Sequence, residues 1–146
     1  MFHRILVPTD GTELCSRALD VALDLARLGD GAIVGLHASA PLESALLDSA
    51  GDDDPARTAE RSERAQQASD ALAYIRRRAR DAGVPCETVL AREASPHEAI
   101  ERVAREQSCD LVVLAAHARR GLRARLLGGE AEKLLAHGTV PLLIVR

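Results

Sequence analysis

Short apolar runs alternate with helical segments along the whole chain, and this alternation constrains the fold more than any other feature. The first apolar run is Arg4–Pro8, a helical stretch follows it, and a second apolar run spans residues 32–37. Strand, helix and strand in this order predict a βαβ unit, in which the two strands lie parallel and the crossover is right-handed. Gly29, Asp30 and Gly31 mark the end of the intervening helix, because glycine is unfavourable inside helices.

The same alternation continues to the end of the chain. Residues 56–82 contain no Gly or Pro, which predicts one long helix. Further strands are predicted at 84–90, 110–114 and 141–145, with two more helices between them. The order is therefore β-α-β-α-β-α-β-α-β. It belongs to the α/β class: a single doubly wound domain over residues 1–146, with a five-stranded parallel sheet and helices on both faces.

Local signals place the helix ends, one helix face and one long loop. Ser95, Pro96 and Glu98 fit a capping box with proline at the first helical position. Residues 38–55 are irregular and predict a mobile loop, with one helical turn around 43–47. The first helix has one apolar face, formed by Leu14, Ala18, Val21, Ala22, Leu25 and Leu28.

Composition and charge exclude several classes of protein. A chain of 146 residues with 47% apolar residues can bury the core of one ordinary globular domain. Aromatic residues make up 1% and the net charge is −3, so the stacking platforms and positive excess of nucleic-acid binders are missing. An arginine cluster (Arg76, Arg77, Arg78 and Arg80) near the end of the long helix is interpreted as a solvated face, although cations also suit a helix C-terminus.

The cysteines and the apolar runs indicate in which cellular compartment the protein is expected. Cys15, Cys86 and Cys109 are odd in number and widely spaced, which predicts neither a disulfide framework nor a metal site. No apolar run approaches the roughly 20 residues that span a bilayer, and the N-terminus does not resemble a signal peptide. We therefore expect a cytoplasmic protein with reduced thiols and no membrane contact.

In a doubly wound sheet, ligands bind beyond the carboxyl ends of the strands, where the strand order reverses. The segments at those ends are residues 8–10, residues 37–38 and the loop from Ala115 onward. The topology predicts that these three separated stretches meet at one crevice.

Several segments together resemble the universal stress protein family over the whole chain. They are RILVPTDGTE at the start, LHA at the end of the second strand, SPHEAI before the third helix, and DLVVLAAHARRG, LLGGEAEKLL and VPLLIV in the last third. The resemblance implies a five-stranded parallel sheet and a homodimer in which the strand at 141–145 pairs with its counterpart, covering a sheet edge. It names no protein partner beyond that.

The family divides by whether its members bind ATP, and this chain departs from the pattern of the binders. That pattern is G-x-x-G, nine residues, then G followed by Ser or Thr, which the resemblance places on Ala115, Ala118, Gly128 and Gly129. The hydroxyl is therefore missing at Gly129, and Glu130 stands where binders carry a small apolar residue. A methyl group blocks close approach of backbone amides to phosphate, and it adds strain if the backbone must be left-handed. A carboxylate in the first turn of a helix also repels phosphate.

Other positions implied by the resemblance do not forbid a nucleotide. The adenosine pocket would be lined by Pro8, Asp10, Ala38 and Leu114. Asp10 has two interpretations, as a helix cap or as the partner of a ligand's polar edge; Thr12 is the other candidate cap. Phosphate contacts could partly be restored by loop arginines, namely Arg119, Arg120 and Arg123.

We find no pair of nucleophile and base in the sequence and predict no catalytic residue. Ser95 and His97 are close in sequence, but the capping box accounts for both. His117 has no second ligand at metal spacing, so we predict no metal site, and His37 is interpreted as a half-buried strand residue. Cys109, which precedes a strand, is interpreted as a small buried hydrophobic residue.

The sequence favours a dimeric stress-response or regulatory protein, not an enzyme, whose nucleotide site is degenerate. No cofactor is expected for that function. The alternative is a nucleotide-dependent switch that binds ATP or AMP with help from the arginine-rich loop.

Overall fold

The computed structural model describes residues 1–39, 55–93, 95–116 and 129–146, and it confirms the predicted order of elements. The sheet has five strands, all neighbours are parallel, and their spatial order is β3-β2-β1-β4-β5. The predicted turn at 43–47 lies outside the described residues. The strands are β1 (Arg4–Pro8), β2 (Ala32–Ser39), β3 (Cys86–Arg92), β4 (Leu111–Ala115) and β5 (Leu142–Val145). The helices are α1 (Glu13–Leu28), α2 (Pro55–Asp81), α3 (Pro96–Glu106) and α4 (Gly129–His137).

The strand β3 begins two residues later than the prediction of 84–90. The reason is the end of α2, where Gly83 has a left-handed backbone with φ of 70°. Val84 N donates to the Ala79 carbonyl at 2.8 Å, and Gly83 N donates to that of Arg80 at 3.0 Å. These two bonds form a Schellman motif, so Val84 completes the helix terminus and does not start the strand.

The second strand is longer than predicted and takes up the start of the expected loop. It continues past His37, because Ala38 and Ser39 pair in register with Ala91 and Arg92 of β3. Ala38, one of the predicted pocket residues, is therefore a strand residue.

The sheet separates two apolar layers, as expected for helices on both faces. Ile5 and Val7 of β1 lie in the layer covered by α1 and α2, whereas Leu6 between them lies in the layer with α3. In this layer α2 packs closely against Gly35 of β2: a Cβ at that position would lie 3.0 Å from two carbon atoms of Ile75. The first half of α2 stands clear of the core, since the first buried residue of the helix is Ala68.

The predicted apolar face of α1 is only partly correct. The buried residues of the helix are Ala18, Leu19, Ala22, Leu23 and Ala26. Leu28, which the periodicity places on the same face, is 73% exposed. The observed stripe is rich in alanine because α1 lies close against the sheet, and Leu28 is carried past the edge of the contact at the last turn.

Asp110 joins the start of β1 to β4. Its two carboxylate oxygens accept hydrogen bonds from His3 N at 2.8 Å and Arg4 N at 3.0 Å. Partial burial opposes ionisation, but these backbone donors outweigh it and lower the pKa of the carboxyl group. β4 accordingly starts at Leu111, one residue later than predicted.

Candidate functional site

A crevice opens at the carboxyl end of the sheet, between β1 and β4. These two strands pair only at Ile5↔Leu111 and Leu6↔Val112, although β1 continues to Pro8 and β4 to Ala115. Past this short pairing the two strands bond to their other neighbours. On the β2 side of β1, Thr9 N donates to Leu36 O at 2.8 Å, and on the β5 side of β4, Ala116 N donates to Val145 O at 2.9 Å. The strand order reverses at this point, which is where doubly wound sheets bind ligands.

The predicted nucleotide-site residues fall into two groups. Six lie at strand ends or at a helix start: Pro8 ends β1, Ala38 is in β2, Leu114 and Ala115 end β4, and Gly129 and Glu130 begin α4. Asp10 follows β1 in the loop that leads to α1. The remaining candidates lie outside the described residues: Ala118, Gly128, Arg119, Arg120, Arg123 and the rim candidate His117.

The backbone at two of these positions is free of the strain that a substituted glycine motif can impose. Ala115 ends a regular strand, and positive φ at non-glycine residues occurs, within the described ranges, at Asp30 and Ser108. Gly129 starts α4, and a Cβ placed on it would meet no atom of the described residues within 4 Å. A serine would therefore fit at position 129.

Glu130 has a function that the sequence did not reveal. Its Oε2 accepts a hydrogen bond from the backbone N of His97 at 2.7 Å and lies 3.1 Å from Nδ1 of the same residue. The predicted capping box of α3 is wrong, because Ser95 is the N-cap residue but its side chain makes no capping hydrogen bond. The N-terminus of α3 is instead capped by a carboxylate from α4, which suits the positive end of the helix dipole.

Ser95, His97 and Glu130 are in contact, but not in the arrangement of a catalytic triad. Ser95 Oγ lies 2.5 Å from His97 Nδ1, the same ring nitrogen that approaches Glu130. In a triad the serine and the carboxylate use opposite nitrogens of the imidazole, so that one side takes a proton while the other orients the ring. Here both contacts compete for one nitrogen. The cluster fixes the start of α3 against α4.

Asp10 stabilises the turn before α1. Its Oδ1 accepts from Thr12 N at 2.9 Å and from the Cys15 thiol at 3.0 Å, while Thr12 is the N-cap of the helix. Burial opposes ionisation of Asp10, but these donors outweigh it and lower the pKa of the carboxyl group. Gly11, between them, has φ of 82°, a value that favours glycine. Asp10 therefore remains a carboxylate, with its Oδ1 committed to the turn.

The structure also reveals a cavity of about 540 Å³ between α1 and α2, next to Asp10. Sequence reasoning missed it, because its far wall comes from the middle of α2, which is remote in sequence. Two of its lining residues, Ser16 of α1 and Tyr74 of α2, are hydrogen-bonded to each other through their hydroxyl groups at 2.7 Å. The charged residues in the described part of its lining are acidic, namely Asp10, Glu13 and Asp70. A cavity of this charge does not favour a phosphate group.

The remaining candidates have ordinary structural environments. His37 is half-buried as predicted, with Nδ1 3.2 Å from Ser39 Oγ. Burial lowers its pKa, partly offset by the charge of Asp10. Cys109 is 7% exposed, and burial raises its pKa to about 11, so the prediction of a small buried hydrophobic residue is confirmed. The described residues include no cluster of three or more His, Cys, Asp or Glu that could hold a metal ion.

A family model for universal stress proteins matches residues 1–146. The chain belongs to the universal stress protein family. A curated relative, the universal stress protein in the QAH/OAS sulfhydrylase 3′ region of Thermus aquaticus, is 29% identical over 146 residues, covering all of both chains. None of the described helices is long and apolar enough to cross a membrane.

Solved structures of the family share the fold. A universal stress protein family member from Burkholderia pseudomallei has a TM-score of 0.73 and 26% identity, over 97% of this chain and 94% of the other. A family protein from Arabidopsis thaliana, whose structure has AMP bound, has a TM-score of 0.69 and 18% identity, over 98% of this chain and 90% of that one. At that identity the second likeness establishes the fold alone.

Proposed function

We propose that residues 1–146 form one universal stress protein domain that acts in the cytoplasm as a regulatory protein, not as an enzyme, and that its nucleotide site is degenerate. The observation that carries the proposal is the position of Glu130. Its carboxylate lies in the first turn of α4, where a bound phosphate would need free backbone N–H groups, and it is held there by His97. Glu132 adds a second negative charge to the same turn.

The motif positions support the same proposal. Ala115 replaces the first glycine at the end of β4, so a methyl group stands where backbone amides would approach phosphate. Gly129 offers no hydroxyl donor at the start of α4. The described lining of the acidic cavity beside Asp10 contains no cation that would compensate. Each of these features disfavours a triphosphate, and together they predict weak or absent ATP binding.

Calorimetric titration of the full chain with ATP tests this proposal. We expect no heat of binding up to about 1 mM ATP, which corresponds to a binding free energy weaker than about −4 kcal/mol. AMP is titrated in parallel. Binding of AMP without ATP would show that the adenosine pocket is intact and that the phosphate-binding positions prevent ATP binding. A dissociation constant in the micromolar range for ATP would overturn the proposal.

The alternative function is an ATP- or AMP-dependent switch. It is favoured by the AMP-bound relative from Arabidopsis thaliana and by the retained frame of strand ends, Asp10 and the start of α4. Under this alternative, the titration gives micromolar binding, and replacing Arg119 and Arg120 with alanine weakens it at least about tenfold through lost charge-assisted bonds. Nucleotide that copurifies with the protein would give the same answer without a titration.

The proposed homodimer forms through β5. Among the described strands β5 has a neighbour on one side, β4, and it exposes the large apolar Leu143. Leu135 of α4 is also 54% exposed in the same C-terminal region of the chain. An open, apolar edge strand is an unfavourable feature that a second copy of the chain would remove. The proposal thus gives a structural reason for the dimer that the family resemblance implies.

Analytical ultracentrifugation tests the dimer. We expect a dimer at micromolar concentration and a monomer for Leu143→Lys, because a charge would be buried at the centre of the new strand pair. Leu28→Lys is the matched control: Leu28 is 73% exposed on α1, so the variant should stay dimeric. A monomeric wild-type protein, or equal dissociation of both variants, would contradict the proposed interface.

A further inference from the structure

A groove lined by arginines runs along the opposite edge of the sheet, between α2 and β3. Its volume is about 670 Å³. Three of its lining residues, Arg76, Arg77 and Arg80, share one face of α2, since they are spaced three and four residues apart. Val84 and Cys86 form the side towards the sheet. The sequence interpreted these arginines as a solvated face, and the structure places them beside an open strand.

The charge of this groove is largely uncompensated. Arg76 donates to the neutral hydroxyl of Thr88 at 2.6 Å, and Arg77 lies over the ring of Tyr74 at 5.5 Å. Of the three, Arg80 alone has a carboxylate of the described residues nearby, that of Asp81 at 3.2 Å, and its side chain remains 75% exposed. The neighbouring Arg78 differs, because it pairs with Asp20 of α1. The three groove arginines are therefore available to an anionic partner.

Within the described residues β3 has a neighbouring strand on one side, β2, so its outer edge supplies backbone groups to the same place. In a parallel pair, every second residue directs its N–H and C=O towards the neighbouring strand. Ile33 N donates to Pro85 O at 2.8 Å, which fixes the phase of the β2–β3 pair. The groups of Cys86, Thr88, Leu90 and Arg92 consequently face away from the sheet.

We propose that this groove and the β3 edge together bind an extended acidic segment of a partner protein, which adds to the sheet as a sixth strand. Backbone pairing along β3 would provide affinity, as in other cases of strand addition. Acidic side chains on one face of the segment would lie over the groove arginines, and apolar ones on the other face beside Val89. Leu90, which is 45% exposed, lies on the groove face of β3 with Cys86 and Thr88, so the aliphatic stems of the acidic side chains would cover it.

Other anionic ligands do not match the groove arginines, the β3 backbone edge and the exposed Leu90 together. Phosphate would use the arginines but not the open backbone or Leu90. Nucleic acid is disfavoured by the net charge of −3 and by an aromatic content of 1%. An acidic strand matches the charge, the edge and the apolar residue together. The inference gives the proposed regulatory role a docking surface, and it does not depend on the state of the nucleotide crevice.

Fluorescence anisotropy with a labelled peptide of alternating Glu and Val tests the proposal on the full chain. We expect saturable binding, and at least about tenfold weaker binding to Arg77→Glu, because one reversed charge in the groove replaces attraction with repulsion. Arg105→Glu is the matched control, since Arg105 is an exposed arginine of α3 on the other face of the sheet. It should bind the peptide like the wild type.

A second peptide separates strand addition from simple charge attraction. Replacing two of its valines with proline keeps the charge but removes backbone donors, and binding should then be lost. Equal binding of the proline peptide, an unchanged affinity of Arg77→Glu, or binding of inorganic phosphate without the peptide would each overturn the proposal. Because the assay contains no nucleotide, its failure would leave the ATP titration and its conclusion unaffected.

Discussion

Replacing Ile75 with alanine should lower the free energy of unfolding by about 3 kcal/mol, within the range for buried isoleucine truncations. Ile75 is 1% exposed, and its methyl groups lie against the backbone of Gly35 in β2. The sheet cannot move inward to fill the space that the side chain leaves, because Gly35 lies in an inner strand, in register with Val7 of β1 and Thr88 of β3. Ile75 also lines the cavity between α1 and α2, so its loss would enlarge an existing void.

Urea denaturation of the two proteins measures this effect, and Leu28→Ala provides the control. Leu28 is an apolar residue on the predicted core face of α1, but it is 73% exposed, so its truncation should change the unfolding free energy by less than about 0.5 kcal/mol. A similar loss for both variants would show that burial in this structure does not determine their contributions to stability.

The same two residues show what sequence periodicity can and cannot predict. Alternation of apolar runs and helical segments was sufficient for the element order and the parallel sheet, because each strand and helix is set mainly by its own local pattern. Which side of α1 touches the sheet depends on the height and angle at which the helix lies. Those are set by contacts across the domain, such as Ala22 and Ala26 against the sheet, and they excluded Leu28.

Helix capping shows the same difference between what a local sequence pattern predicts and what contacts between distant residues decide. The end of α2 followed from Gly83, a local signal whose glycine is required by its left-handed backbone. The start of α3 also had a local signal, Ser95 with Glu98, but a distant residue replaced it: Glu130, 33 positions away from His97. A local motif predicts that a helix starts, but it cannot predict which side chain accepts the hydrogen bonds of its first backbone N–H groups.

For the candidate site, topology was a better guide than individual side chains. The strand-end rule placed Pro8, Ala38 and Ala115 at the carboxyl edge of the sheet without any structural information. It could not foresee the acidic cavity, because Tyr74 and Asp70 reach it from the middle of a helix with no distinguishing motif. The role of Glu130 was equally hidden, since its partner is known only once α3 and α4 are packed together.

Glu130 connects the stability of the fold to the loss of the nucleotide site. Its carboxylate caps α3, so replacing it with alanine should cost about 1 to 2 kcal/mol of unfolding free energy, the usual range for a lost N-cap. The same substitution removes a negative charge from the first turn of α4, where phosphate would bind. A change that moves the chain towards the ATP-binding pattern should therefore make it less stable.

The full reversal combines Glu130→Ala with Ala115→Gly, Ala118→Gly and Gly129→Ser. We expect this variant to bind ATP at least about tenfold more tightly than the wild type, because one recovered charge-assisted hydrogen bond is worth about 1.5 kcal/mol or more. The Gly129→Ser component should cost little stability, since no atom of the described residues lies within 4 Å of the new Cβ. Titration calorimetry and urea denaturation measure the two effects on the same samples.

Two single variants separate the causes. Glu130→Gln retains an oxygen acceptor for His97 N–H but removes the charge, so it should lose less stability than Glu130→Ala. Glu132→Ala removes a charge from the same turn of α4 but leaves the cap in place, so its stability should match the wild type. If Glu132→Ala destabilised the protein as much as Glu130→Ala, the cap would not be the cause. If the fourfold variant gained no affinity for ATP, the missing motif residues would not explain the weak site, since all of them would have been restored.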